Sequence, residues 1–361
     1  MLLSKKSVEA GKVCLAEGLP FAIVLVPSSS ESSFFAALST CSCGCGGTVK
    51  GSHFVISRFG KVSPSELIEM GMYLSPEEIR EKYTQSNQHS VPLLDDCGST
   101  AFEDHCGRVE RIVASRDDIN SKVVLSRRIS LSSGRDPFEV AEDYFGLFPD
   151  CFRSIYYTAE TGLWIVASPE MLLCHDGADN SYRTVSLAGT RTVSDGGWDE
   201  KNICEQRLVT EYISDCFRDA GLEAVVGPSE NVRFGQIEHR CNAIRSVGTV
   251  PPLEVALRLS PTPALCGYPV AEAFEMIESL EDFDRECYGG FIGIVAGSKT
   301  ELYVNLRSCR CGRSPSDGDR WNYRLFAGGG VNIMSVPHLE WEETERKSAR
   351  LRDVIMNGIH K

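Results

Sequence analysis

Nowhere in the 361 residues does an apolar run approach the length of roughly 20 that a bilayer-spanning helix needs. Positive charge is also short, with 37 Lys and Arg against 50 Asp and Glu, a formal net charge of -13. Nucleic acid and anionic membrane surfaces are therefore poor partners. A small anionic ligand would have to be held by local cations against the field of the whole protein. The opening residues, MLLSKKSVEAGKVCLAEG, lack a continuous apolar core and a small-residue cleavage pattern, so no signal peptide is expected. Repeats and long linkers are missing as well, which points to one domain over residues 1–361.

Cysteine is not scarce: there are 15, an odd count. Cys151, Cys174, Cys204, Cys216, Cys241, Cys266 and Cys287 fall in apparent strands and helices, as small buried hydrophobes do. Without a secretion signal, reduced thiols in a cytoplasm are expected. The run CSCGCGG sets Cys41, Cys43 and Cys45 at every second position. That spacing matches neither zinc nor iron–sulfur patterns and has no evident fourth ligand, so a surface turn is expected.

Short apolar runs predict strands at 21–26, 53–59, 122–131, 154–158, 163–167, 171–174, 182–187, 291–295, 302–308 and 321–326, with extended stretches at 234–239 and 244–247. Helical patterns cover 75–83, 100–118, 137–148, 200–220, 251–259 and 270–280. On the long helix at 200–220, Ile203, Leu208, Tyr212, Ile213, Cys216 and Phe217 are expected to face the core. Consecutive strands with short turns imply antiparallel pairing with helices laid on the sheet, an α+β fold.

One stretch invites a chemical reading: FAGGGVNIMSVPHLEWEETERK, residues 326–347. It predicts a strand end, a glycine turn able to bring backbone N–H groups close to an anion, and a helix opened through Ser335 and Pro337. Glu340, Glu343 and Lys347 share one face of that helix. Carboxylates beside an anion cradle become compatible once a hard divalent cation such as Mg²⁺ lies between them. A glycine turn before a solvated acidic helix is the ordinary alternative.

Five further residues have the same two readings. Lys122 heads an apolar strand and is either solvated or, in a dry pocket, a base. Glu170 follows the strand LWIVA as a turn residue or as a buried, protonated acid. Glu205 lies on the polar side of the long helix, His239 ends a strand, and Arg307 is placed inside the strand LYVNLRSC, where it could recognise a carboxylate. None of these is decisive alone; their order along the chain is.

In sequence the motifs are KVVLSR (122–127), ASPEMLL (167–173), LAGTR (187–191), EQRLV (205–209), PTPALCGYP (261–269), EDFDRECYGGFIG (281–293), LR (306–307), FAGGGV (326–331) and EWEETERK (340–347). In this order they resemble the chorismate-utilising enzymes, which make isochorismate, salicylate, anthranilate or aminodeoxychorismate. Residues 100–361 carry the resemblance, and 1–99 match the family loosely.

The resemblance implies one α+β domain on a large antiparallel sheet flanked by helices, a monomer, chorismate as substrate and Mg²⁺ as cofactor. Glu205 and Glu343 match metal-binding positions, with Glu340 in or beside the same set. Arg307 and Lys347 match cations facing the substrate, and Gly189, Gly328, Gly329 and Gly330 match backbone anion donors. His239 matches a histidine near the ring.

Lysine at 122 resembles members that add water rather than ammonia, and Ala188 stands where aminodeoxychorismate synthases carry a nucleophilic lysine. Ala264 and Leu265 resemble isochorismate synthases rather than salicylate synthases; Tyr288 occurs in both. The implied activity is Mg²⁺-dependent conversion of chorismate to isochorismate, with Lys122 as base and Glu170 as acid. Salicylate synthesis, or a silent or cysteine-rich metal-binding relative, are the alternatives. Two departures stand out: Ser260 replaces a usual histidine, and GGWDEKNIC (196–204) replaces the family's charged approach to Glu205.

Overall fold

A computed structural model of the chain describes residues 2–28, 32–36, 41–42, 52–60, 68–71, 91–118, 121–192, 196–234 and 237–359. The helix expected at 75–83, and Cys43 and Cys45 of the cysteine run, lie outside these residues. The described helices are α1 (Lys5–Ala16), α2 (Phe102–Ser115), α3 (Pro137–Leu147), α4 (Glu200–Asp219), α5 (Pro252–Leu259), α6 (Val270–Leu280) and α7 (Pro337–Asn357). The first strands are β1 (Phe21–Leu25), β2 (Ser33–Ala36), β3 (Cys41–Ser42), β4 (Ser52–Ile56), β5 (Ile68–Gly71), β6 (Lys122–Ser133), β7 (Phe152–Thr158), β8 (Gly162–Ser168) and β9 (Met171–Asp176). There follow β10 (Ser181–Thr192), β11 (Val225–Phe234), β12 (Ile237–Val247), β13 (Gly267–Tyr268), β14 (Phe291–Ala296), β15 (Lys299–Val304), β16 (Ser308–Arg313) and β17 (Trp321–Val331).

The strands form two sheets rather than one. An eight-stranded sheet runs β13-β6-β17-β16-β8-β7-β1-β2, and a nine-stranded sheet runs β11-β12-β10-β9-β15-β14-β4-β5-β3. The pairs are antiparallel, as short turns between consecutive strands dictate. Strand β8 shows how the layers bind. Its Trp164 and Val166 enter the core between the sheets, while Leu163, Ile165 and Ala167 enter a second core covered by α1, α3 and α7. A strand buried on both faces reads as an unbroken apolar run, and each large side chain contributes about 1.5–3 kcal/mol by leaving water.

A third cluster fixes the edge of the eight-stranded sheet: Val109 and Ile112 of α2 and Ala273 and Ile277 of α6 pack on Val123, Leu125 and Val331. This edge carries the site. No described helix is long and apolar enough to cross a membrane. The described cysteines whose side chains are placed form no disulfide with one another and are mostly buried, but Cys204 and Cys241 are only half-buried, against expectation.

Four other expectations need correction. Residues 234–239 are not one extended segment: Phe234 ends β11 and Ile237 begins β12, and β11 itself went unread. Residues 302–308 divide between β15 and β16, so Arg307 lies between strands, with φ 51°. On α4, Ile203 is 41% exposed, while the inward position is taken by Val209. The glycines at 328–330 do not turn. They continue β17 in register with β6, Gly328 opposite Ser126, Gly329 opposite Leu125 and Gly330 opposite Val124.

Strand β16 pairs with β17 only from Trp321 to Leu325. Beyond Leu325 the second edge of β17 meets no strand among the described residues. Alternation along a strand then sends the backbone groups of Gly328 and Gly330 to that open edge and those of Gly329 toward β6.

Candidate active site

The open edge of β17 borders a cavity of about 730 Å³ walled by α4, α7 and the ends of both sheets. Lys122, Glu170, Gly189, Glu205, His239, Ala264 and Leu265 line it, with Arg307, Gly328, Gly330, Glu340, Glu343 and Lys347. Of the catalytic, metal and substrate residues expected from the sequence, Gly329 does not; its missing side chain points to α7 instead. The structure therefore gathers onto one surface residues that are up to 225 positions apart, counted from Lys122 to Lys347.

Glu170 is set by its backbone. Its N–H donates to Ser168 Oγ at 3.3 Å and its carbonyl accepts the Val304 N–H at 3.0 Å. A register shift between Leu302 and Tyr303, where β15 pairs with β9, accommodates the turn. Burial pushes the Glu170 carboxyl up to about 7, against the opposing charges of Lys122, Arg307 and Lys347. At neutral pH a substantial fraction therefore carries a proton.

Lys122 begins β6 opposite Tyr268 of β13. Its side chain is only 16% exposed, and its Nζ donates to Glu205 Oε1 at 2.7 Å. The ordinary reading of a solvated strand end does not describe it.

On α7, Lys347 Nζ bridges Glu343 Oε1 at 2.6 Å and the Gly328 carbonyl at 2.8 Å, fastening helix to strand. A Cβ built on Gly329 would lie 3.0 Å from Glu340 Oε2 and 3.8 Å from Glu343 Oε1. Glycine there is what allows both carboxylates to close on the strand. Their donor chemistry fits a hard cation: two carboxylates from one helix turn and a third, Glu205, on the opposite wall. Among the described residues no three such groups already form a tight cage. Mg²⁺ is a cation that keeps several waters and binds through a few carboxylates plus an anionic substrate.

His239 Nδ1 lies 3.1 Å from the Gly189 carbonyl, and burial lowers its pKa, leaving a neutral ring. Gly189, with φ 72°, sits at a bulge between Ala188 and Thr190. A Cβ there would stand 2.8 Å from the Asn202 carbonyl, so only glycine lets β10 approach α4 this closely. Arg307 is held in its left-handed conformation by its own carbonyl, which accepts the Ala167 N–H at 3.3 Å and the Tyr144 hydroxyl at 3.2 Å. Such a conformation costs on the order of 1–3 kcal/mol and persists where surroundings enforce it. Arg307 lines the cavity, and its guanidinium carbon also lies 5.6 Å from the Phe148 ring centroid.

Several lining residues lie in the stretch 326–347 without having been assigned a place in the site. Phe326 closes the floor, stacked on Tyr288 with centroids 5.5 Å apart. Met334, Val336 and Leu339 form an exposed apolar rim. Local pattern could not have found the rim, because it depends on how the loop before α7 folds back. Ser260, in the usual histidine's place, is buried at the end of α5 and lines no part of the cavity.

A family model described as "Chorismate binding enzyme" matches residues 63–356. The chain is 30% identical over 283 residues to the isochorismate synthase EntC of Escherichia coli K12, covering 72% of this chain and 68% of the relative. It is 28% identical over 222 residues to the isochorismate synthase MenF of Pasteurella multocida, covering 58% and 50%. Among solved structures, the menaquinone-specific isochorismate synthase MenF of Escherichia coli superimposes with a TM-score of 0.77 at 20% identity, over 98% of this chain and 92% of that one.

Proposed function

The chain belongs to the chorismate-binding enzymes, and from that premise we propose that it is an isochorismate synthase using Mg²⁺. One observation carries the reading. A carboxyl raised to about 7 and an amine face a single cavity that also holds the cations Arg307 and Lys347 and the carboxylates Glu205, Glu340 and Glu343. General acid–base chemistry across a ring needs that pairing, with acid and base holding opposite protonation at the same pH.

In this reading chorismate lies between Lys122 and Glu170. The Lys122 side chain takes a proton from water as the oxygen bonds to C2. The protonated Glu170 carboxyl gives its proton to the C4 hydroxyl, which leaves as water while the double bonds shift. Arg307 and Lys347 offer charge to the substrate's carboxylates, and neutral His239 packs beside the ring without adding charge. Glu205, Glu340 and Glu343 would hold Mg²⁺, which supplies the positive charge that a carboxylate of the substrate needs in an acidic protein. Chorismate arrives as a dianion at a chain of net charge -13, so these local cations decide binding.

The test is incubation with chorismate, with Mg²⁺ or with EDTA, and chromatography of the products. Isochorismate formed only without EDTA is the expected result. Salicylate accumulating at neutral pH, or turnover indifferent to EDTA, would overturn the proposal.

A further inference from the structure

Lys122 and Glu205 face two spaces. Together with Val209 and Gly330 they also line an adjoining cavity of about 490 Å³. Its remaining wall includes Cys204 and Leu208, one turn apart on α4, and Tyr268 and Asn332 opposite. Exposed Glu200 and Arg207 border it, so this annex reaches solvent along α4. The exposed Met334, Val336 and Leu339 line the main cavity and not the annex. The Lys122–Glu205 pair is part of the wall the two spaces share, with Val209 and Gly330.

We infer that the annex is the entrance for the reacting water, separate from the mouth that admits the ring, and that Cys204 and Leu208 set its bore. The inference rests on the proposed reaction. That reaction consumes one water at C2 and releases one from C4, with no net change of oxidation state. Lys122 accepts the proton of the first, and Glu170 supplies the proton of the second. A ring seated between those two residues fills the space in front of Lys122, so water must approach its amine from a side the ring leaves open. The annex, which Lys122 also lines, offers such a side.

Its walls are polar enough to hold water, carrying Lys122, Arg207, Glu200, Glu205 and Asn332. At about 30 Å³ per molecule in the liquid, the volume exceeds what one water needs. Such a passage also screens nucleophiles by size before any chemistry occurs.

The experiment compares the wild-type chain with Cys204→Trp and Leu208→Trp, which plug the annex, and Leu208→Ala, which widens it. Plugging is expected to lower kcat by about tenfold or more while the Kd for chorismate, read by fluorescence titration, stays within about twofold. Circular dichroism checks that the plugged chains fold. Widening is expected to raise the share of aminated product when methylamine competes with water.

A third measurement needs no variant: alkylation of Cys204 in the wild-type protein, mapped by peptide mass spectrometry. Saturating chorismate should leave its rate unchanged, because the ring does not occupy the annex. Full kcat in the plugged variants, an unchanged methylamine product share in Leu208→Ala, or protection of Cys204 by chorismate would overturn the inference. A wild-type chain that makes no isochorismate would instead remove the functional reading beneath it. The two failures are thus distinguishable.

Discussion

Two glutamate–cation pairs lie close together and behave differently. Arg285 and Glu281 are each only 2% exposed. Arg285 Nε meets Glu281 Oε2 at 2.8 Å, while its other nitrogens donate to the Leu265 and Val124 carbonyls at 2.6 Å each. Glu281 Oε1 also accepts the Ser126 N–H at 2.7 Å. Every one of these bonds ties together backbone that lines or underlies the cavity. Lys122 and Glu205, by contrast, are 16% and 33% exposed and stand where two cavities meet. The first pair is saturated and fixes geometry; the second borders open space where other partners can reach it. A buried ion pair deep in a wall therefore argues for architecture, and one on a cavity surface argues for chemistry.

Substitution separates them. Lys122→Gln should lower isochorismate formation by about 10³-fold or more, the scale of losing a positioned base, with little change in the thermal midpoint. Undiminished turnover would rule out Lys122 as the base. Glu281→Gln should do the reverse. It leaves Arg285 buried with its charge poorly matched, destabilising the fold by about 3–5 kcal/mol in denaturant titration. A shift below about 1 kcal/mol would show that the saturated pair is not a structural anchor.

The pH profile sharpens the comparison further. Glu170 must be protonated to act as acid, and its carboxyl is raised to about 7. Log kcat/KM should therefore fall above about pH 7, approaching a tenfold loss per unit, as the free enzyme loses that proton. An alkaline limb that survives in the residual activity of Glu170→Gln would assign it to another group. The smallest effect is expected from Gly329→Ala, whose methyl would press on Glu340 Oε2 at 3.0 Å. It should weaken Mg²⁺ binding by a few-fold, about 1 kcal/mol, in titration followed by intrinsic fluorescence.

Much of this was legible in the chain because periodicity and motif order are local. The apolar runs of β7, β8 and β9 declared themselves, and residues of the motif series line one cavity. Strand β11 escaped because an edge strand need not look like one. Gly227 and Pro228 interrupt it at a register shift between Val226 and Ser229, and an edge tolerates both. Arg307 was misplaced because nothing in Asn-Leu-Arg announces a left-handed residue; the constraint comes from the distant Ala167 and Tyr144. Helix α1 was missed for a related reason. Gly11 interrupts its pattern, yet a Cβ there would come within 3.0 Å of Phe138 and 3.1 Å of Phe21. Tertiary crowding, not helix preference, chose that residue.

The unpaired margin of β17 has one more consequence. On the outside of a protein, such a row of unmet donors and acceptors is an invitation for stray chains to add themselves and aggregate. Here it is a cavity wall beside α7, with Gly328 buried and its carbonyl fastened to Lys347 while Gly330 is exposed. Polypeptides are too bulky to arrive, whereas a small metabolite can. Concealment turns a hazard common to sheets into a privilege reserved for compact visitors.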